Sequence, residues 1–133
     1  MLVDVPGAAM SAMRILLVED EPATAAEIMR TLEEAGCEIV GPIGGQAGAL
    51  TLAEGEPLDG AIVDANLRGQ TAEPVAAALA RRGIPFLVIS GQAPPEVPSV
   101  LGNRPFLAKP FGEHDLVSAT FDLFPTHQGP AAS

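Results

Sequence analysis

The chain has 133 residues, with 7 Lys and Arg against 17 Asp and Glu, a formal charge of −10 at pH 7 and an isoelectric point near 4.4. That balance argues against a face for DNA or anionic membrane, which both demand basic surface, and no apolar run approaches the roughly 18 residues of a membrane span. The length fits one domain with no room for a separate output or catalytic domain, and the single cysteine, Cys37, cannot form an intramolecular disulfide, which suits the cytoplasm.

Residues 1–13 hold Met1, Met10 and Met13 among small residues without periodicity and read as a disordered arm or as sequence upstream of the natural start. Ile15-Leu16-Leu17-Val18 is a continuous apolar run of the kind a parallel strand covered on both sides needs. It ends in Glu19-Asp20-Glu21-Pro22, where Pro22 can open a helix. Ala25, Ile28, Met29, Leu32 and Ala35 then recur at helical spacing until Gly36 stops them. Ile39-Val40 with Ile43 predicts a second strand, and Ala47, Leu50 and Ala53 a second helix closed by Gly55 and Pro57. Ala61-Ile62-Val63 predicts a third strand ending at Asp64; Val75, Ala78 and Leu79 predict a helix ended by Gly83. Phe86-Leu87-Val88-Ile89 is a fourth strand ending at Ser90-Gly91. The helix due next meets Pro94, Pro95 and Pro98, so it is expected to be short or irregular. Phe106-Leu107-Ala108 is a fifth strand ending at Lys109-Pro110. Leu116, Val117, Thr120, Phe121 and Phe124 mark a final helix, and residues 125–133 a flexible tail.

Five strand-then-helix units over about 110 residues demand right-handed crossovers, hence a doubly wound parallel sheet with helices on both faces. The domain spans residues 14–124. In such a fold every strand's carboxyl end lies on one edge, where ligands bind. Read along that edge, the sequence places Glu19 and Asp20 after the first strand, Asp64 after the third, Ser90 after the fourth and Lys109 after the fifth. Lys109 is also the only lysine in the chain. Three crowded carboxylates must share protons or hold a cation; oxygen ligands with waters to spare suit Mg²⁺. A metal-neutralised aspartate can attack phosphorus, with Lys109 and Ser90 facing the phosphoryl oxygens. The chemistry reads as phosphoryl transfer to Asp64.

These residues resemble the response-regulator receiver domain, the phospho-acceptor module of two-component signalling. The resemblance runs from about Arg14 to Phe124 and rests on Ile15 through Glu21, Asp59 through Asp64, Ser90-Gly91 and Lys109-Pro110-Phe111. It implies a flavodoxin-like (βα)5 fold with a five-stranded parallel sheet in the order 2-1-3-4-5. It further implies Asp64 as the phosphorylated residue, with Asp20 and Asp64 holding Mg²⁺ directly, Glu19 acting mostly through water and Asn66 lending its backbone carbonyl. Ser90 takes the place of the switch hydroxyl, Lys109 that of the lysine normally followed by a cis proline, and Phe106 that of the switch aromatic. The run Pro85-Phe86 to Ser90-Gly91 is similar in part to a stand-alone group with a Pro-Phe-x-x-x-Thr-Gly signature. Implied partners are a sensor histidine kinase or histidine phosphotransfer protein and a downstream protein target, and a weak homodimer stays open. Such a domain is not an enzyme beyond its own phosphorylation and dephosphorylation.

Two departures stand out. Arg68 replaces the usual proline after Asp64, and the prolines at 94–98 fall on the normal output and dimerisation face. Two other functions compete. A receiver-shaped adaptor working without phosphorylation would not need this residue set. A small phosphatase using Asp64 as nucleophile would want a second acid two residues on, where Asn66 cannot serve as general acid. Elsewhere, the glycines of residues 41–48 fit no nucleotide fingerprint, His114 and His127 lack a metal-ligand set, Cys37 fills the start of the second strand, and Arg81-Arg82 suits a helix C-terminus.

Overall fold

A computed structural model describes residues 12–91 and 105–124 of the chain. The apolar runs are strands: β1 (Arg14–Val18), β3 (Gly60–Asp64) and β6 (Phe86–Ser90), flanked by β2 (Glu38–Ile43) and β7 (Phe106–Ala108). They form one sheet in the order β2-β1-β3-β6-β7, every neighbouring pair parallel. Counting only these five, that is the 2-1-3-4-5 order of the flavodoxin-like fold.

Successive strand residues face opposite sides, so one sheet makes two cores. Leu16, Val18, Ala61, Val63, Phe86 and Val88 meet Ala49 and Ala53 of α2 (Gln46–Gly55) and Val75, Ala76, Ala78 and Leu79 of α3 (Glu73–Arg81). Ile15, Leu17, Ile62, Leu87 and Ile89 meet Ala25, Ile28 and Leu32 of α1 (Pro22–Glu34) and Leu116 of α4 (Glu113–Phe121). Each fully buried Leu or Ile contributes about 1.5–3 kcal/mol relative to exposure. Helix boundaries follow the punctuation residues. Pro22 occupies the first turn of α1, and Gly36 and Gly83, at φ of 99° and 71°, follow the C-caps of α1 and α3.

Several details differ from the sequence reading. Ala12 and Met13, assigned to the arm, already belong to the fold: the Ala12 N–H donates to the Gly36 carbonyl at 2.8 Å, and the Met13 carbonyl accepts from Glu38 N–H at 2.8 Å. α4 stops at Phe121 rather than reaching Phe124. Leu123 and Phe124 N–H groups bond back only three residues, to Thr120 and Phe121, and Pro125 disfavours helix in the residue before it. Phe124 is buried all the same, against Gly60, where a Cβ would lie 3.0 Å from its ring. A two-stranded hairpin, β4 (Asn66–Leu67) and β5 (Gln70–Thr71), was not foreseen. Its two turn residues, Arg68 and Gly69, both have positive φ, 53° and 82°, as the tight twisted turn requires. The remainder of the expected arm, the prolines at 94–98 with the irregular helix, and the tail at 125–133 lie outside the described residues. No described helix is long and apolar enough to cross a membrane.

Candidate functional site

Because the five strands are parallel, their carboxyl ends share one edge, and the charged residues expected there meet. Glu19 and Asp20 leave β1, Asp64 ends β3, Ser90 ends β6 and Lys109 leaves β7. The Lys109 N–H donates to the Ser90 carbonyl at 2.8 Å, which pins the last strand beside the fourth; the Lys109–Pro110 bond is cis. A cavity of about 460 Å³ opens over this edge, lined by Asp20, Asp64, Asn66, Ser90 and Lys109. Arg68, Gly69 and Gly91 also line it.

The Lys109 ammonium bridges two carboxylates. Its Nζ donates to Asp64 Oδ2 at 2.9 Å and to Glu19 Oε2 at 3.3 Å. Glu19 Oε1 lies 3.0 Å from Nζ yet has no hydrogen-bond partner, so that contact is an ion pair only. Backbone donors complete the set: Glu21 N–H to Glu19 Oε2 at 3.0 Å, Asn66 N–H to Asp64 Oδ1 at 3.0 Å, and Arg68 N–H to Asp20 Oδ2 at 2.9 Å. Asn66 Oδ1 in turn accepts from Gly69 N–H at 2.9 Å, which holds the hairpin turn. Glu19 sits beneath the cavity rather than on its wall, its side chain fully enclosed.

Burial pushes the Glu19 carboxyl up to about 7, against the pull of the Glu21 N–H and Lys109; the nearby Asp64 charge acts in the same direction as burial. Burial alone would lower the Lys109 ammonium, but its hydrogen bonds to Asp64 and Glu19, with their charges, hold it above the ordinary lysine range. One carboxylate oxygen from each of Glu19, Asp20 and Asp64 lies within 4.8 Å of the others. Hard oxygen donors at that spacing fit a small divalent cation, and Glu19 also carries a buried oxygen, Oε1, without a hydrogen-bond partner.

The sequence reading named Arg68 only as a departure and missed it as a lining residue; its place on a hairpin turn carries no periodic signal. The glycines after β2 likewise gain a role. A Cβ on Gly44 would stand 3.0 Å from Asp20 Cα and 3.2 Å from Arg68 Nη2, so glycine lets these elements close over the site. Arg82, read as a helix-end charge, reaches across to donate to the Ala53 carbonyl of α2 at 2.7 Å. Cys37 is buried next to β2, and burial raises its thiol to about 11. Phe106 is half-buried against the α2 and α3 core, and His114 is exposed.

A scan against protein-family models finds no match, and a search of curated proteins finds none. Solved structures are similar over most of the chain. SdrG from Sphingomonas melonis Fr1 is 41% identical over 84% of this chain and 96% of its own, with a TM-score of 0.75. SdrG is also solved in a BeF₃-activated conformation, reported from Pseudomonas melonis Fr1, at 42% identity and a TM-score of 0.67 over 84% and 99% of the two chains. A response regulator receiver protein from Sinorhizobium medicae WSM419 is 26% identical over 87% and 97%, with a TM-score of 0.74. The receiver domain of the sensor histidine kinase PA1611 from Pseudomonas aeruginosa PAO1, solved with magnesium in its active-site cleft, shares the fold at 22% identity and a TM-score of 0.71, over 92% and 100%. Strand order, the ring of acids at the carboxyl edge and the likeness to SdrG agree, and the chain belongs to the response-regulator receiver family.

Proposed function

We propose that this domain is a phospho-acceptor that takes a phosphoryl group from a phosphohistidine donor onto Asp64 and thereby switches a protein-binding surface or relays the phosphate. The observation that carries the reading is the bridge of Lys109 between Asp64 and Glu19 beside Asp20, at the carboxyl edge of the sheet where a cavity of about 460 Å³ opens.

In the transfer, an Asp64 oxygen bonds to phosphorus as the donor's P–N bond breaks, and the imidazole, protonated on its other nitrogen, leaves neutral with the bonding pair. Asp64 becomes an acyl phosphate. Asp20, Asp64 and the Asn66 carbonyl, with Glu19 behind them, would hold Mg²⁺, which would supply the charge neutralisation that lets two anions approach. Lys109 exchanges its bond to Asp64 for one to a phosphoryl oxygen, and Ser90 turns its hydroxyl to another. The added charge then biases the surface around these two residues. The donor's owner is a sensor histidine kinase or phosphotransfer protein, the setting is cytoplasmic, and the domain turns over no substrate beyond its own phosphoryl group.

The test is intact mass after incubation with phosphoramidate, with and without Mg²⁺, for wild type and Asp64→Asn. A gain of about 80 Da in wild type alone, dependent on Mg²⁺, is expected. No gain, together with no uptake of beryllofluoride, would leave the adaptor function in its place.

A further inference from the structure

Two cations line the cavity over Asp64, and the transfer just described uses one of them. Lys109 approaches from β7. Arg68 stands on the other side, at the turn between β4 and β5. Its backbone is left-handed, at φ 53°, a conformation glycine adopts without the steric cost that a Cβ brings. The turn therefore has no need of an arginine. The side chain instead runs towards Gly44 in the loop after β2. The point where a Gly44 Cβ would stand is 3.1 Å from Asp20 Cβ and 3.2 Å from Arg68 Nη2, so any larger residue at 44 would displace the guanidinium. Its backbone N–H holds Asp20 Oδ2 at 2.9 Å and ties hairpin and acid together.

We infer that Arg68 is the second phosphoryl-contacting cation of this site: its guanidinium receives the phosphoryl oxygens of the incoming donor from the Asp20 side while Lys109 receives them from the β7 side. This rests on the reading of Asp64 as phospho-acceptor. The planar fork of arginine suits two phosphoryl oxygens at once, which a lysine ammonium cannot match. The same positive charge stands beside Asp20 and so opposes a divalent cation there. Arg68 thus favours the anionic donor and disfavours the metal, two effects of opposite sign. A residue that merely shaped the turn would move both in the same direction.

The experiment compares wild type, Arg68→Gly and Arg68→Lys, with Asp64→Asn as the blank. Mg²⁺ alone is titrated calorimetrically into each, and the rate of the mass gain from phosphoramidate is followed at saturating Mg²⁺. In Arg68→Gly, which keeps the turn, labelling slows by about tenfold, the worth of one charge-assisted hydrogen bond, while Mg²⁺ affinity rises by about two- to threefold. Arg68→Lys retains wild-type Mg²⁺ affinity and recovers part of the rate, because the charge remains and the fork does not. An unchanged rate in Arg68→Gly, or rate and Mg²⁺ affinity falling together, overturns the assignment while leaving Asp64 as acceptor. A wild type that takes up neither phosphoramidate nor beryllofluoride overturns the phospho-acceptor reading and this inference with it.

Discussion

β1 and β3 lie side by side and carry an ionic cluster at each end, each with three carboxylates gathered around a bridging cation. At the amino edge, Arg14 donates to the Pro57 carbonyl at 2.7 Å, reaches Glu56 at 3.3 Å and Glu38 at 3.5 Å, and gives its backbone N–H to Asp59 at 2.8 Å. At the carboxyl edge, Lys109 meets Glu19 and Asp64 beside Asp20. Water access separates the two. The Arg14, Glu38 and Glu56 side chains are 29, 63 and 39% exposed, against 22, 0 and 7% for Lys109, Glu19 and Asp64. Solvated ions trade one partner for another at little cost. Enclosed ones are held against a desolvation penalty that a metal or a phosphoryl group can relieve, so the enclosed end is the one equipped for chemistry.

The sharpest way to break this contrast is to neutralise each cation in turn. Lys109→Met should slow phosphoramidate labelling by about a hundredfold or more while Mg²⁺ still binds, whereas Arg14→Met should label within about twofold of wild type, both read by intact mass. Stability should follow the same order. In metal-free buffer at pH 8, Lys109→Met is expected to lose about 3 kcal/mol in urea denaturation because it strands buried carboxylates. Arg14→Met should lose about 1 kcal/mol. Proton linkage gives the next effect. Folded Glu19 keeps its proton up to about pH 7 and the unfolded residue only to about 4.5, so the native state binds more protons between them. Metal-free stability should therefore fall as pH rises through that window, by on the order of 3 kcal/mol, and Glu19→Gln should flatten the slope. Saturating Mg²⁺ should reverse its sign, since the metal needs the carboxylates ionised. Smallest of all, raising NaCl to about 0.5 M should shrink the gap between wild type and Arg14→Met by a few tenths of a kcal/mol, since exposed pairs are the ones salt screens.

The sheet and its acidic edge were legible because both follow from short-range signals. Apolar runs at residues 15–18, 61–63 and 86–89 could only be covered strands, and in a parallel sheet the residue after each strand is placed by topology alone. What escaped depends on packing between distant segments. Arg68 lies on a turn of two residues, too short for any period, and of its features only the following glycine hinted at a hairpin. Phe124 continues the helical rhythm of α4 but is buried from outside the helix, because the ring fills the space over Gly60. The resemblance cast Glu19 as acting mostly through water. It is fully enclosed, with Lys109 drawn against it from a position 90 residues away, which nothing near residue 19 encodes.

The strand β2 forms one margin of the sheet, and its middle is interrupted. Gly41, at φ 107°, approaches β1 so closely that a Cβ would lie 2.8 Å from the Leu17 carbonyl oxygen, the register shifts between Leu16 and Val18, and Pro42 offers no N–H. At the opposite margin β7 is only three residues long. Neither border presents the long, regular row of free donors and acceptors that another molecule's strand would need to dock. Among the described residues, strand-by-strand growth of this sheet into fibrils is thereby disfavoured at both rims.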